Sequence, residues 1–400
     1  MVRGSGGPRG REAVFGIIAD DLTGACDVAS SFANEGFIAT VDLRGDYTAG
    51  PDAEVMVHDA NLRIVHGEAA TLATAEAITK MAASGIRFCM LKVDSTLRGP
   101  IPEMMHAALA STPDRTAVAA NALPVQGRLV RSGRLLVNGH EADVDLASRF
   151  GSHARLMALP DLIERGPAPG SVAVLDEQDE GSLARLARWW VGLAQKPLMV
   201  GSAGIARSLA EELALRGRFD RDRGAPAGDG VLHYAARESG ADGSEHDSWL
   251  LLVVGSPTLE SARQVKALEA ALGPEAVLMG TEVVLLCVSN SDVRDDGSAS
   301  ASIAAGAMAE LNARARRPAA VVLVGGDTAR LVLDGLAATG IQVVGEAVPG
   351  VPRGFVLGGT LAGVAVATKA GAFGDETVLV RTMEELARGT SDLEEVGPWT

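Results

Sequence analysis

Short runs of β-branched and apolar residues alternate with Ala/Leu-rich stretches of helical spacing along most of the chain. No other feature constrains the fold as tightly. The runs at 15–19, 54–58, 87–93, 172–175 and 197–200 are too short for helices and apolar enough for strands buried on both faces. Strands that alternate with helical segments predict α/β layers with a largely parallel sheet. The pattern fades over residues 217–248, where Gly, Asp, Ser and Pro accumulate, and restarts at "WLLLVVGS", residues 249–256. A chain of 400 residues exceeds what one hydrophobic core usually serves. We therefore expect two α/β domains with largely parallel sheets and an interdomain cleft, one over 14–216 and one over 249–390, joined by a linker at 217–248.

Composition narrows the function. A formal net charge of −15, with no dense basic window, argues against a nucleic-acid partner. No apolar run reaches the length of a membrane span, and the amino-terminal "MVRGSGGPRGRE" lacks the apolar core of a signal peptide, so no membrane partner and a cytoplasmic location are expected. Cys26, Cys89 and Cys287 lie far apart and form no C-x-x-C pair, and the seven histidines are scattered, so neither a disulfide framework nor a zinc site is implied. No residue is assigned as a metal ligand. An assembly of identical copies is compatible with these features.

The first chemically suggestive stretch is "FGIIADDLTGACDVASSFANEG", residues 15–36. Phe15 to Ala19 reads as a strand. Asp20 and Asp21 stand at its carboxyl end, Thr23 fits an N-cap, and the helix that follows should carry Ala25, Val28, Ala29 and Phe32 inward. Ligands of open α/β sheets bind beyond the carboxyl ends of the strands. A carboxylate pair there can orient a hydroxyl, accept its proton or hold a hydrated Mg²⁺; a single Asp would more often be a helix cap, but Asp27 adds a third.

"FCMLKVDSTLRGPIPEMMHAAL", residues 88–109, has the same build with added positive charge: Asp94, Ser95, Thr96 and Arg98 fill the loop before a helix opened by Pro100 and Pro102. Hydroxyls, a carboxylate and a guanidinium suit a small polyhydroxylated anion, because Arg grips a carboxylate through two parallel hydrogen bonds. A capped turn with a surface ion pair is the alternative. The chain has only five lysines, and Lys92 is one of them. A further strand ends at Asp59, Asn61 and Arg63, which offers a second guanidinium. Residues 120–139 read as a hairpin with Gln126 and Arg128 at its turn.

Three candidate phosphate seats lie in the carboxy-terminal half. "VVLVGGDTARLVLDGL", residues 321–336, is a buried strand, a Gly325-Gly326-Asp327-Thr328 turn and an amphipathic helix, so backbone N–H groups would face outward at a helix N-terminus. Ser256 precedes a second helix, and Lys369, Gly371 and Gly374 form a third turn. There is no Walker loop and no dinucleotide fingerprint. A phosphatase of the haloacid-dehalogenase type would want Asp-x-Asp where this chain has Asp20-Asp21.

"ADDLTGACD", "KVDSTLRG", "GSAG", "GGDTAR", "VPGVP" and "TKAGAFGD" occur in the order found in the four-carbon acid sugar kinases, and over residues 14–388 the chain resembles that family. The resemblance implies an amino-terminal sugar-acid domain, a carboxy-terminal nucleotide domain and phosphorylation of threonate, erythronate or a 3-oxo-tetronate with ATP and Mg²⁺. It assigns Asp20, Asp21, Arg63 and the loop Asp94, Ser95, Thr96 and Arg98 to the acid sugar, with Asp94, Asp21 and Arg98 as the catalytic candidates. It assigns Ser256, Gly325, Gly326, Asp327, Thr328, Gly350 and Gly371 to ATP. The chain departs from the family pattern at Cys26, Val28 and Pro100. A non-catalytic acid-sugar sensor and a sugar-phosphate phosphatase are the competing readings.

Overall fold

The computed structural model of the protein describes residues 14–48, 52–111, 116–222, 249–288 and 298–391. The expected strands form at Phe15–Ala19, Val55–Asp59, Arg87–Lys92, Val172–Leu175 and Leu198–Gly201, each within a residue of its apolar run. In the amino-terminal half the sheet order is Ala39–Asp42, Val55–Asp59, Phe15–Ala19, Arg87–Lys92, Leu198–Gly201, Ala117–Ala120, Val172–Leu175 and Ala154–Met157, with every neighbouring pair parallel. Helices cover both faces, which explains why these strands are continuous apolar runs and do not alternate.

The carboxy-terminal half repeats the plan on a smaller scale. Trp249–Val254 lies between Thr281–Cys287 and Ala320–Val324, and Ala365–Lys369 follows, all parallel. The hairpin Gly340–Val348 and Val351–Leu357 then turns the sheet antiparallel. Its first strand pairs with Ala39–Asp42, so the two halves share one 15-stranded sheet. The α/β class with largely parallel sheets is as expected; the edge-to-edge join is not visible in the sequence, because it pairs residues about 300 positions apart.

The join has a geometric consequence. Counted through the antiparallel pairs, Ala320–Val324 points opposite to Phe15–Ala19, from which it is six strand-to-strand steps away. A right-handed twist of roughly 20–25° per step accumulates to about 120–150° over that distance. This brings the carboxyl ends of both sets of strands toward the same side. Their meeting is seen directly at Gly326, where a Cβ would lie 3.3 Å from Asp21 Oδ2 and 3.5 Å from Thr23 Oγ1.

The helix Leu22–Asn34 covers the join. Ala25, Val28, Ala29 and Phe32 are buried as expected, in an apolar cluster that also holds Val41 from one half and Ile341, Val343 and Val356 from the other. Its N-cap is Asp21, not the expected Thr23: the Asp21 side chain accepts from Gly24 N, while Thr23 Oγ1 donates to Asp21 Oδ2 at 2.7 Å. Asp outcompetes Thr here because the cap has extended backbone geometry and a carboxylate gains from the helix dipole.

The hairpin at 120–139 forms as Arg128–Arg131 and Arg134–Val137, with His140–Asp145 as a third strand. The helix Ala203–Asp222 runs past the expected boundary at 216, and the remaining linker residues, 223–248, lie outside the described residues. Among the described residues no helix is long and apolar enough to cross a membrane.

Candidate active site

A cleft of about 380 Å³ opens where the two sets of strand ends meet. Its amino-half wall includes Asp21, Arg63, Asp94, Ser95 and Arg98, and its carboxy-half wall includes Ser256, Gly325, Gly326, Asp327, Thr328 and Gly371.

Arg63 organises the first wall. Its Nε donates to Asp20 Oδ2 at 2.7 Å, Nη2 pairs with Asp21 Oδ1 at 2.8 Å, and Nη1 reaches Asp94 Oδ1 at 3.3 Å. One guanidinium thus holds three carboxylates from two strand ends in a fixed fork, which Lys could not do. Burial would weaken its charge, but these three carboxylates overcome that and raise its pKa. Asp20 is fully buried behind Arg63 and does not line the cleft; burial pushes its carboxyl up, against the pull of Lys92 and Arg63.

Asp94 is saturated. Arg98 grips it with Nε at 2.9 Å and Nη2 at 3.0 Å, and Thr96 N, Arg98 N and Thr96 Oγ1 also donate to it. Burial alone would raise its pKa; the Arg98 hydrogen bonds and the Arg63 charge outweigh that and hold it well below the usual carboxylate range. Thr96 is spent on this turn and does not line the cleft. Arg98 remains 69% exposed and can reach a ligand.

The second wall is a cradle of interlocked strand-end turns. A methyl at Gly255 would lie 1.8 Å from Thr328 Oγ1, and one at Gly371 would lie 1.8 Å from Ser256 Oγ. Gly325 has φ +99° and caps the helix Gly326–Gly335 without a side chain, which leaves the first-turn N–H groups available to an anion. Thr328 Oγ1 is buried without a partner, and Asp327 is exposed with no hydrogen bond or ion pair among the described residues. Lys369 Nζ donates to the carbonyls of Ala370, Gly371 and Phe373 at 2.8, 3.1 and 2.9 Å and so shapes the third turn; burial lowers its pKa to about 8. Gly350 does not line the cleft. A methyl there would meet the Phe373 ring at 2.1 Å, so it acts one layer out by seating Phe373, which does line the cleft.

Three residues of the cleft and one of the join carried little or no signal in the sequence. Lys92 is 4% exposed and lines the cleft, and among the described residues its ammonium has no hydrogen bond or ion pair; its rarity was the only hint. Gln126 and Arg128, at the start of the hairpin, also reach the cleft. Arg330 clamps the halves: Nη1 pairs with Asp59 Oδ2 at 2.9 Å, Nη2 donates to Leu43 O at 2.8 Å and Nε to Asp334 Oδ2 at 3.0 Å. Asp59 therefore serves the join; burial pushes its carboxyl up to about 6 against the opposing Arg330. Cys26, Val28 and Pro100, where the chain departs from the family pattern, are buried in packing and line no part of the cleft.

The same fold recurs in solved structures. A Salmonella typhimurium LT2 protein matches with a TM-score of 0.68 at 20% identity, covering 94% of this chain and 99% of its own. A Haemophilus influenzae protein matches at 0.60 and 19%, covering 92% and 99%. Two family profiles match in sequence: a sugar-binding N-terminal domain over residues 15–159 and a nucleotide-binding C-terminal domain over 275–379. Among curated relatives, a D-threonate kinase of Bordetella bronchiseptica is 32% identical over 93% of this chain and 97% of its own. A second D-threonate kinase, from Cupriavidus necator, is 31% identical over 91% and 95%, and a 3-oxo-tetronate kinase of Methylobacterium radiotolerans is 26% identical over 93% and 99%. The chain belongs to the four-carbon acid sugar kinase family.

Proposed function

We propose that the protein transfers the γ-phosphoryl of ATP to a hydroxyl of a four-carbon acid sugar of the threonate, erythronate or 3-oxo-tetronate type. The observation that carries this reading is the single cleft walled on one side by the Arg63–Asp94–Arg98 cluster and on the other by the glycine turns at Gly255, Gly325 and Gly371. Residues 14–216 would bind the acid sugar and residues 249–390 the nucleotide, with 217–248 between them. The two family profiles fall inside those ranges.

Phosphoryl transfer asks for positioning and charge neutralisation more than covalent work. Arg98, exposed beside Asp94, would hold the substrate carboxylate or the migrating phosphoryl. Arg63 would act by fixing Asp20, Asp21 and Asp94. Asp21 and Ser95, which line the cleft, would orient the attacking hydroxyl, with Asp94 and Thr96 holding the loop that presents Arg98. Ser256, Gly325, Gly326, Thr328 and Gly371 would seat the phosphates on backbone N–H groups, with Gly350 seating Phe373 behind them. The cradle fits a nucleotide, because its glycines leave no room for side chains and Thr328 Oγ1 awaits a partner. Asp327, a free carboxylate at the cradle's edge, would hold the hydrated Mg²⁺ of the nucleotide, which neutralises phosphate charge.

A coupled ATP-consumption assay over D-threonate, D-erythronate and 3-oxo-tetronate tests the reading. Turnover that requires both ATP and one of the acids supports it. Stabilisation by an acid with no ATP effect would favour a sensor, and orthophosphate release from sugar phosphates without nucleotide would favour a phosphatase. In the kinase, Asp327→Ala should weaken ATP binding by calorimetry and leave acid binding intact; equal loss of both ligands would contradict this division of roles.

A further inference from the structure

We propose that Asp27 is the general base that takes the proton of the acceptor hydroxyl. This rests on the kinase reading and assigns its proton-transfer step.

The other carboxylates on the sugar side are unsuited to that step. Asp94 receives two hydrogen bonds from the Arg98 side chain, one from Arg63 and three from its own turn, so its lone pairs are engaged and its proton affinity is low. Asp21 caps Gly24 N, accepts from Thr23 Oγ1 and pairs with Arg63. Asp20 is fully buried behind Arg63 and away from the cleft.

Asp27 differs on each count. It lines the cleft, and among the described residues neither of its carboxylate oxygens has a hydrogen bond or ion pair. It sits in the second turn of the helix Leu22–Asn34, three residues after Gly24 and so on the same face as that glycine. Side chains on a helix lean toward its N-terminus, here toward the strand ends. Gly24 keeps the path open: a methyl there would lie 2.5 Å from Lys92 Nζ and 2.6 Å from Asp21 Oδ1.

Four charged groups face Asp27. Lys92 from the strand Arg87–Lys92 and Arg128 from the hairpin favour its anion, while Asp21 from its own helix and Glu346 from the strand Gly340–Val348 oppose it. Burial dominates, and the carboxyl is pushed up to about 7. A base is most effective when its pKa lies near the working pH. As the hydroxyl oxygen bonds to the γ-phosphorus, the bond from that phosphorus to the β–γ bridging oxygen breaks and ADP leaves. The hydroxyl proton passes to an Asp27 oxygen and is later released to water.

Asp27→Asn keeps the shape and removes the base. Its kcat should fall at least 100-fold while the Kd values for ATP and for the acid stay within threefold. The wild-type kcat should decline as pH drops through about 7, and the residual activity of Asp27→Asn should lack that limb. If Asp27→Asn does not fold, Lys92→Met serves instead: loss of the facing cation should move the limb to higher pH. A variant that keeps a tenth of wild-type kcat, a wild-type profile flat from pH 5.5 to 8, or a limb unmoved in Lys92→Met would overturn the assignment. Absence of any ATP-dependent turnover in the wild type would instead overturn the kinase reading.

Discussion

Arg63 shows how much one side chain can carry. Its three donor nitrogens each serve a different carboxylate, so its removal leaves Asp20, Asp21 and Asp94 facing one another in a low-dielectric site. Arg63→Ala should therefore cost about 3–5 kcal/mol of stability in chemical denaturation, as expected when one partner of a buried ionic cluster is deleted. Arg98, which grips Asp94 from the exposed edge of that cluster, should behave differently. Arg98→Ala should keep the fold and lower turnover more than tenfold; near-normal turnover would remove it from the site. Asp27 makes a third kind of claim. Its carboxyl holds a proton up to about 7 in the folded state, against 3.8 ordinarily. The folded chain then binds the proton more tightly than the unfolded one, so stability from this group is lost as pH rises through about 7. Asp27→Asn should melt at a higher temperature than the wild type at pH 8, with the gap shrinking toward pH 4.5 in scanning calorimetry. The residues at strand ends were readable in advance because the α/β pattern itself says where ligands bind. What each one touches was not: Asp20, Asp59 and Asp94 look alike at the ends of three strands, yet one is buried behind Arg63, one serves the join and one anchors the loop that carries Arg98.

At the scale of elements, the helix Leu22–Asn34 opposes propensity to function. Gly24 lies in its first turn, where Ala would favour the helix by about 1 kcal/mol. The methyl would also press on Lys92 and on the carboxylate that caps the helix. Gly24→Ala should leave the circular dichroism spectrum unchanged and reduce kcat, and full activity would show that the approach of Lys92 is incidental. Strands and helices were legible because their period is local. The N-cap is ambiguous in the sequence for a reason equally local: Asp21 and Thr23 both suit a cap, and only the backbone angles at Asp21 decide between them. The hairpin was legible as a hairpin, whereas its delivery of Arg128 to the cleft depends on the bridges Leu123–Arg128 and Val130–Gln178, which no periodicity encodes.

For the whole molecule, the decisive contact is Arg330 to Asp59, 271 positions apart and bridging the two halves. Arg330→Met should lower the melting temperature and raise KM for both substrates together, since it loosens the join without touching either wall. A KM change confined to one substrate would show that the clamp serves one half only. Two α/β units with a cleft between them are legible in the sequence, but their shared hydrogen bonds are not, because a strand such as Gly340–Val348 gives no sign of which edge it will meet.

That shared edge changes how the cleft can close. Two lobes joined only by a tether swing about a pivot, but lobes stitched through the rungs between Ala39–Asp42 and Gly340–Val348 are coupled like the ends of a torsion bar. Closure on two substrates would be drawn from a slight winding of the strands between the walls, so the stiffness of that ribbon would set how far the jaws travel.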